Sequence, residues 1–215
     1  MLKDTGNCRA RANILLKEIQ DSDIYSTYLN TIVEAKKYTP NSSNVIVLED
    51  EDEYMLVEKK VRDIFTNSCL CLSHIDSGCY RAVFSKSDLV AKITYNEDGS
   101  NRRELHLIEH LKLNKLYNLL NYLCPVIASN DKILITPLCT PLFNYSTSDA
   151  NSSIPINFCE LAPVIMREFS EAGICFNDTE GVHQWGILDN NLVILDYADW
   201  RLASNKEVFF NANWG

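Results

Sequence analysis

Hydrophobic spacing separates a helical N-terminal stretch from a body of mixed structure. Before residue 67, apolar side chains recur at the spacing of one helix face and predict helices over 10–19, 24–35 and 54–65. After residue 68, short apolar or alternating runs are bounded by polar turns, as β-strands are. These runs predict five strands, over 69–74, 79–85, 89–95, 125–129 and 132–137.

Two further helices complete the pattern. Residues 101–121 carry Leu105, Ile108 and Leu111 on one face, and residues 155–172 have helical spacing that ends at Gly173. Together the elements predict an α+β fold. We expect three parts: a helical N-terminal extension with an acidic linker (1–67), a part with a five-stranded antiparallel sheet (68–137) and a helical part (138–215).

Composition limits the classes of protein that fit. With 215 residues, 46% of them hydrophobic, the chain can bury one sizeable core or two small ones. No apolar run is long enough to span a membrane, and the N-terminus lacks a secretion signal, so we expect a cytoplasmic protein. The net charge of −9 argues against nucleic acid as the main partner. The acidic run at 49–53 is typical of a solvated linker.

Eight cysteines are scattered along the chain without a C-x-x-C pair. Most lie in apolar runs, so we expect buried thiols that form no disulfide. Cys69, Cys71 and His74 have alternating positions, which favours side chains of a strand over a metal cluster.

Two aspartates flank a predicted hairpin in the last quarter of the chain. A turn at 190–191 and a strand over 192–195 lead to Asp196, while Asp178 precedes the hairpin and His183 and Gln184 lie between the two acids. Carboxylates at strand ends suit a divalent cation held against phosphate oxygens. The sequence therefore predicts a magnesium site here, with an ordinary hairpin bearing surface acids as the alternative.

A lysine lies inside one of the most apolar predicted strands. Lys92 is within 89–95, and a buried ammonium group needs an anionic partner. Glu104, a turn inside the next helix, is the carboxylate that we expect to pair with it.

Taken in order, these segments resemble the motifs of protein kinases. S-G-C-Y-R-A-V at 77–83 is similar to the glycine-rich loop, and V-A-K-I at 90–93 is similar to the V-A-I-K strand. Glu104 stands in the place of the helix-C glutamate, F-N-D at 176–178 in that of H-R-D, and D-Y-A at 196–198 in that of D-F-G. The resemblance covers residues 70 to about 200, and its style is that of small kinase-like proteins of phages.

The resemblance implies a fold and a nucleotide site. The fold would be a two-lobed protein-kinase-like one, with a five-stranded antiparallel small lobe (68–137), a hinge at 137–140 and a truncated helical large lobe (138–215). ATP would lie between the lobes. Gly78, Cys79 and Tyr80 would cover the phosphates, and Lys92, held by Glu104, would contact them.

The resemblance also implies a metal site and a base. Asp196 would hold Mg²⁺, helped by His183 or Gln184, and Asp178 would orient or deprotonate the accepting hydroxyl. Asp178 and His183 have the separation found in H-R-D-x-x-x-x-N.

Several positions depart from the kinase pattern. Gly78 is a single glycine in place of G-x-G-x-x-G, Ala198 replaces the glycine of D-F-G, and no A-P-E segment follows Asp196. We therefore expect slow phosphoryl transfer to a protein hydroxyl. The alternative is an inactive kinase-fold phage protein, or pseudokinase, that inhibits or scaffolds a host enzyme or defence complex.

Other interpretations stay open. The chain would also fit an unrelated α+β binding module. His106, Glu109 and His110 match H-x-x-E-H, an inverted zinc-protease signature, although no third ligand is evident. Four aromatic residues near the C-terminal end would pack on the chain's own core: Trp200, Phe209, Phe210 and Trp214.

Overall fold

The computed structural model describes residues 5–37, 51–78, 80–95, 100–144, 149–150, 158–177, 179 and 181–203. Five α-helices lie in this part of the chain: α1 (Thr5–Gln20), α2 (Asp23–Lys37), α3 (Glu51–Thr66), α4 (Ser100–Leu113) and α5 (Phe158–Glu171). Its strands are β1 (Ser73–Ser77), β2 (Arg81–Lys86), β3 (Leu89–Thr94), β4 (Ala128–Ser129), β5 (Ile133–Pro137), β6 (Thr140–Pro141), β7 (Phe143–Asn144), β8 (Asp149–Ala150), β9 (Ile174–Phe176), β10 (Trp185–Leu188), β11 (Asn191–Ile194) and β12 (Trp200–Leu202).

The chain divides into two compact units. The N-terminal unit comprises the described residues up to Asn101 together with Val126–Leu138, and the C-terminal unit comprises Arg102–Pro125 and the described residues from Cys139 onward. Helix α4 begins in the first unit and continues in the second.

The N-terminal unit is built on one antiparallel sheet of five strands, in the order β1-β2-β3-β5-β4. This confirms the predicted α+β class and the five-stranded antiparallel sheet. Alternate residues such as Phe84, Ala91 and Ile93 join one core with residues of α1, α2 and α3, among them Tyr28 and Phe65. The period of two in these strands therefore places the intervening residues, Lys92 included, on the opposite face of the sheet.

The three predicted N-terminal helices are confirmed, and each is longer than its pattern. Helix α3 begins at Glu51, inside the acidic run that we expected to be a linker. The sequence pattern also permits a short strand over 45–48, which lies outside the described residues.

The first predicted strand, over 69–74, is wrong in position, because β1 is Ser73–Ser77. Cys71 adopts a left-handed φ of 54°, so the chain turns there instead of extending. Leu70 and Leu72 are buried in the core from this turn. These two residues are apolar because the turn is buried, and not because they belong to a strand.

The helix predicted over 101–121 is too long. Helix α4 ends at Leu113, and Lys115 follows with a φ of 59°. The Leu116 N–H then donates to the Leu111 carbonyl at 2.9 Å, which satisfies one of the last carbonyls of the helix. A short 3₁₀ helix, Leu119–Tyr122, contributes the remaining apolar residues.

The strand predicted over 125–129 is also shorter, because β4 is only Ala128–Ser129. Leu123 bridges Ile194, and the Cys124 N–H donates to the Ile194 carbonyl at 2.9 Å. The apolar run before Pro125 is therefore buried in the C-terminal unit instead of extending β4.

The C-terminal unit surrounds a second core. Helix α5 contributes Ala162, Ile165 and Phe169, and the hairpin of β10 and β11 contributes Trp185 and Ile194. Gly173, with a φ of 75°, follows α5 as predicted. Strand β6 extends the hairpin, and β12 pairs with β9.

The turn of this hairpin lies one residue before the predicted position. Strands β10 and β11 pair from Trp185 with Ile194 to Leu188 with Asn191, so the turn residues are Asp189 and Asn190. Both have positive φ, 50° and 63°, which is typical of a two-residue hairpin turn and is tolerated by Asp and Asn.

The prediction that the thiols are buried holds for part of the chain only. Cys8, Cys124, Cys139 and Cys175 are buried, whereas Cys69, Cys71 and Cys159 are exposed. None of these seven forms a disulfide. No helix in the described ranges has the length and apolar character needed to cross a membrane.

Candidate functional site

The loop between β1 and β2 is closed by hydrogen bonds. The Gly78 N–H donates to the Arg81 carbonyl at 3.0 Å, and the Tyr95 N–H donates to the Tyr80 carbonyl at 3.1 Å. The Tyr95 hydroxyl, in a residue only 2% exposed, also donates to the Arg81 carbonyl at 2.8 Å and contacts the Gly78 carbonyl. Two of the predicted phosphate-covering residues, Gly78 and Tyr80, are therefore held by Tyr95, and Cys79 lies outside the described residues.

Lys92 lies in the middle of the sheet. It pairs with Val83 on β2 and Leu134 on β5, and only 7% of it is exposed. A lysine is seldom buried to this extent unless its ammonium group meets polar atoms. The side chain emerges on the sheet face opposite the core formed with α1, α2 and α3.

Two residues beside Lys92 were not found by the sequence analysis. Arg81 is 4% exposed and donates through Nη1 to Asn101 Oδ1 at 3.3 Å. Asn101 is fully buried, and its Nδ2 donates to the Lys92 carbonyl at 3.4 Å. These bonds tie the start of α4 to β2 and β3. The signal in the sequence is an arginine in an apolar run, which is as unusual as the lysine.

Glu104 belongs to the C-terminal unit and is fully buried on α4. Leu107 and Leu111, one and two turns further on, are also fully buried and lie on the same helix face. A carboxylate is costly at such a position unless polar groups satisfy it. The pairing of Glu104 with Lys92 stays a prediction.

A cluster of polar contacts holds α4 within the C-terminal unit. Arg103 Nη2 lies 3.1 Å from Asp199 Oδ1 and donates to the Trp200 carbonyl at 3.3 Å. Trp200 Nε1 donates in return to the Arg103 carbonyl at 2.8 Å, and the Trp200 ring lies 5.7 Å from that of His110. Trp200 thus packs on the chain's own structure as predicted, while Phe209, Phe210 and Trp214 lie outside the described residues.

The hairpin brings three of the predicted metal-site residues to one end. The Leu195 N–H donates to the Gln184 carbonyl at 2.7 Å, which continues the pairing of β10 and β11 by one step. His183, Gln184 and Asp196 therefore lie at the end of the hairpin away from its turn, and all three are half-buried.

The main chain on both sides of Asp196 is fixed. Cys124 bonds Ile194 through its N–H, and the Tyr197 hydroxyl donates to the Cys124 carbonyl at 2.8 Å. The Ala198 N–H donates to Asp196 Oδ1 at 3.2 Å. The carboxylate is thus oriented by its own backbone, as in an Asx turn.

The donor atoms at this end suit Mg²⁺ in part. Asp196 and Gln184 offer oxygen atoms, which Mg²⁺ prefers, whereas His183 offers nitrogen. A β-carbon on Gly181 would lie 2.2 Å from the His183 ring, so the imidazole packs directly over that glycine. Where the structure describes the chain, no three His, Cys, Asp or Glu side chains cluster as a metal site would.

Asp178 lies outside the described residues, but its neighbours are anchored. The Asn177 N–H donates to the Asp199 carbonyl and its Nδ2 to Asp199 Oδ1, both at 3.1 Å. On the other side, the Thr179 carbonyl accepts a bond of 2.8 Å from Trp185 Nε1.

Neither alternative metal site is formed among the described residues. Cys69 and Cys71 lie in a turn, and His74 Nε2 is 2.8 Å from Ser77 Oγ. Burial lowers the pKa of His74 most, and the positive charge of the nearby Arg62 lowers it further. The two histidines of the H-x-x-E-H segment lie in different environments: His106 is exposed, and the His110 ring lies beside that of Trp200.

The order of these segments, from the loop and the lysine strand through α4 to the hairpin and Asp196, is the one that the resemblance to protein kinases implies. No protein-family model matches the chain, and no curated protein matches it significantly. Among solved structures, it is similar to the Legionella pneumophila Lpg2603 kinase bound to IP6, at 12% identity and a TM-score of 0.42. That match covers 64% of this chain and 51% of the other, so the chain spans about half the length of that kinase. It is also similar to APH(2'')-IIa in a ternary complex with streptomycin and ATP, at 13% identity and a TM-score of 0.36, covering 74% of this chain and 75% of the other.

Proposed function

We propose that the chain is a kinase-like protein that binds ATP with Mg²⁺. The observation that carries the proposal is Lys92, a lysine 7% exposed at the centre of the sheet and preceded by a hairpin loop that contains Gly78. A structural cation at this position would serve the fold less well than an apolar side chain of similar volume. A charge-assisted hydrogen bond from the Lys92 ammonium to nucleotide phosphates would account for a lysine at this position.

Each remaining residue then has a defined task. Glu104 would pair with the Lys92 ammonium, as the resemblance to kinases implies. Tyr95 holds Gly78 and Tyr80 of the loop before β2. Asp196 supplies a carboxylate to Mg²⁺, with Gln184 as the better second ligand because its amide carries an oxygen. The bound Mg²⁺ would neutralise charge on the phosphate oxygens.

Replacing Asp196 by Asn tests the metal site. In the wild-type protein, Mg·ATP at about ten times its Kd should raise the Tm by about 3 °C or more. We expect the Asp196→Asn protein to fold with an unchanged Tm in buffer and to lose the Mg²⁺-dependent part of this rise. The matched control is Asp189→Asn, at the exposed turn of the same hairpin, where Asn tolerates the φ of 50°. A full Mg·ATP response in the Asp196→Asn protein would exclude Asp196 as the ligand.

The proposed activity is phosphoryl transfer to a protein hydroxyl at a low rate, with Asp178 as the base. Two features oppose fast transfer. The Gly78 N–H is already bonded to the Arg81 carbonyl, and Tyr95 restrains the loop that would have to close over phosphates. They favour the second candidate function, a pseudokinase that inhibits or scaffolds a partner such as a host enzyme or defence complex.

Transfer of the γ-phosphate from labelled ATP separates the two functions. We expect turnover well below the roughly 1–100 s⁻¹ of ordinary kinases, and its loss in Asp178→Ala. Turnover in the ordinary range that disappears in the variant would make the protein a competent kinase. ATP binding without turnover in either protein would favour the pseudokinase.

A further inference from the structure

A buried pair of cysteines in the C-terminal unit has no part in the proposed function. The sulfur atoms of Cys124 and Cys139 lie 3.4 Å apart, and the two residues are 2% and 8% exposed. They form a small apolar cluster with Val193, against which Leu188 and Leu195 pack. Neither cysteine is in a disulfide.

The two cysteines stand next to the points where the chain passes from one unit to the other. Cys124 precedes Pro125, the last residue before the segment Val126–Leu138 of the N-terminal unit, and Cys139 is the first residue after that segment. A bond between the two sulfurs would close this segment, which carries β4 and β5, into a covalent loop.

Cys124 is also connected to the main chain around Asp196. The Cys124 N–H donates a hydrogen bond to the carbonyl of Ile194, two residues before Asp196. The Cys124 carbonyl accepts one from the hydroxyl of Tyr197, the residue after Asp196. Leu195, which packs against the cysteine pair, directly precedes Asp196. Because packed interiors transmit small displacements, a movement of Cys124 should reach the Asp196 segment.

We propose that Cys124 and Cys139 form a reversible disulfide under oxidising conditions, and that the disulfide displaces the segment carrying Asp196. The sulfurs need to approach by roughly 1.4 Å to reach the bond length of ~2.05 Å. Any effect of this displacement on Mg·ATP binding rests on the proposed function, whereas the disulfide and the displacement themselves do not.

The oxidant is a peroxide. Its terminal oxygen is transferred to one thiol, Cys139 being the more exposed, which gives a sulfenic acid and releases water. The Cys124 thiol then attacks that sulfur, so that the S–O bond breaks, the S–S bond forms and a second water leaves. Two thiols and one hydrogen peroxide give one disulfide and two waters, and a dithiol reductant reverses the reaction.

The disulfide is tested in the full chain with the exposed Cys69, Cys71 and Cys159 replaced by Ser. Treatment with hydrogen peroxide, alkylation and peptide mass mapping should show a crosslink between Cys124 and Cys139, about 2 Da lighter than the two thiols. The crosslink should be absent in Cys139→Ser and in Cys139→Ala, and it should persist in Cys175→Ser, which removes another buried cysteine. Failure to form the crosslink in the folded parent would overturn the proposal.

Hydrogen exchange tests the displacement without nucleotide. On oxidation, exchange in the peptide over 192–199 should change at least threefold in the parent and remain unchanged in Cys139→Ser. A crosslink without any change in this peptide would overturn the link to Asp196. If crosslink and exchange respond while Mg·ATP never binds, the proposed function fails and the redox inference stands.

Discussion

A Lys92→Met protein should be less stable than the wild type by about 3–5 kcal/mol, and a Lys92→Met, Glu104→Gln protein should recover most of that loss. Glu104 is fully buried and Lys92 is 7% exposed. If the two side chains pair, as the resemblance to kinases implies, removing the lysine leaves a buried carboxylate without its cation. Replacing that carboxylate by a neutral amide then removes the penalty.

Urea unfolding of the wild type, both single variants and the double variant gives the coupling energy directly. The matched control is Lys86→Met, whose partner Glu18 lies 2.7 Å away with both side chains partly exposed. An exposed pair contributes little, so this control should change stability by less than about 1 kcal/mol. Additive effects at Lys92 and Glu104 would show that the two residues do not pair, and the kinase interpretation would lose its central contact.

Trp185→Ala should cost about 3–5 kcal/mol of stability, the second of the large effects. The indole is fully buried, its ring lies 5.6 Å edge-on from that of Phe158, and its Nε1 donates to the Thr179 carbonyl at 2.8 Å. Its removal leaves a large cavity and an unsatisfied carbonyl one residue after Asp178. Because Trp185 also begins the strand that pairs with β11, the segment carrying Asp196 should loosen as well.

Two further variants separate packing from hydrogen bonding at this site. Trp185→Phe keeps much of the ring volume but leaves the Thr179 carbonyl without its donor, for which we expect a loss of about 1–3 kcal/mol. Trp200→Ala is the matched control, because Trp200 is half-buried and also donates to a carbonyl, that of Arg103. Chemical unfolding should show a smaller loss for Trp200→Ala than for Trp185→Ala; an equal loss would mean that burial does not set the cost.

The strands and helices with strong periodicity were predictable, whereas their ends were not. The alternating run at 79–85 and the apolar run at 89–95 identified two strands of the sheet, while their buried face became known only from the structure. Helix α4 ends before Lys115, which adopts a left-handed conformation, and β1 begins only after the turn at Cys71. Neither residue type signals positive φ by itself, so these ends could not be derived from periodicity.

Candidate site residues were found in the sequence when their polar or charged type did not fit the apolar pattern around them. Lys92 could be singled out because a charge inside an apolar strand needs a reason, and Asp196 because it ends one. Arg81 also lies in an apolar run, but its partner could not be derived from the sequence. Its bond to Asn101 forms only when β2, β3 and the start of α4 come together.

By itself, the sequence determined the α+β class, the number of strands in the sheet and the order of the segments that resemble kinase motifs, because these depend on periodicity and residue type along the chain. Only the tertiary structure decided which groups are already engaged: the Gly78 N–H with Arg81, the Asp196 carboxylate with Ala198 and the Cys124 sulfur beside that of Cys139. Such contacts join residues through pairing and packing between elements, and spacing along a single chain carries no record of them.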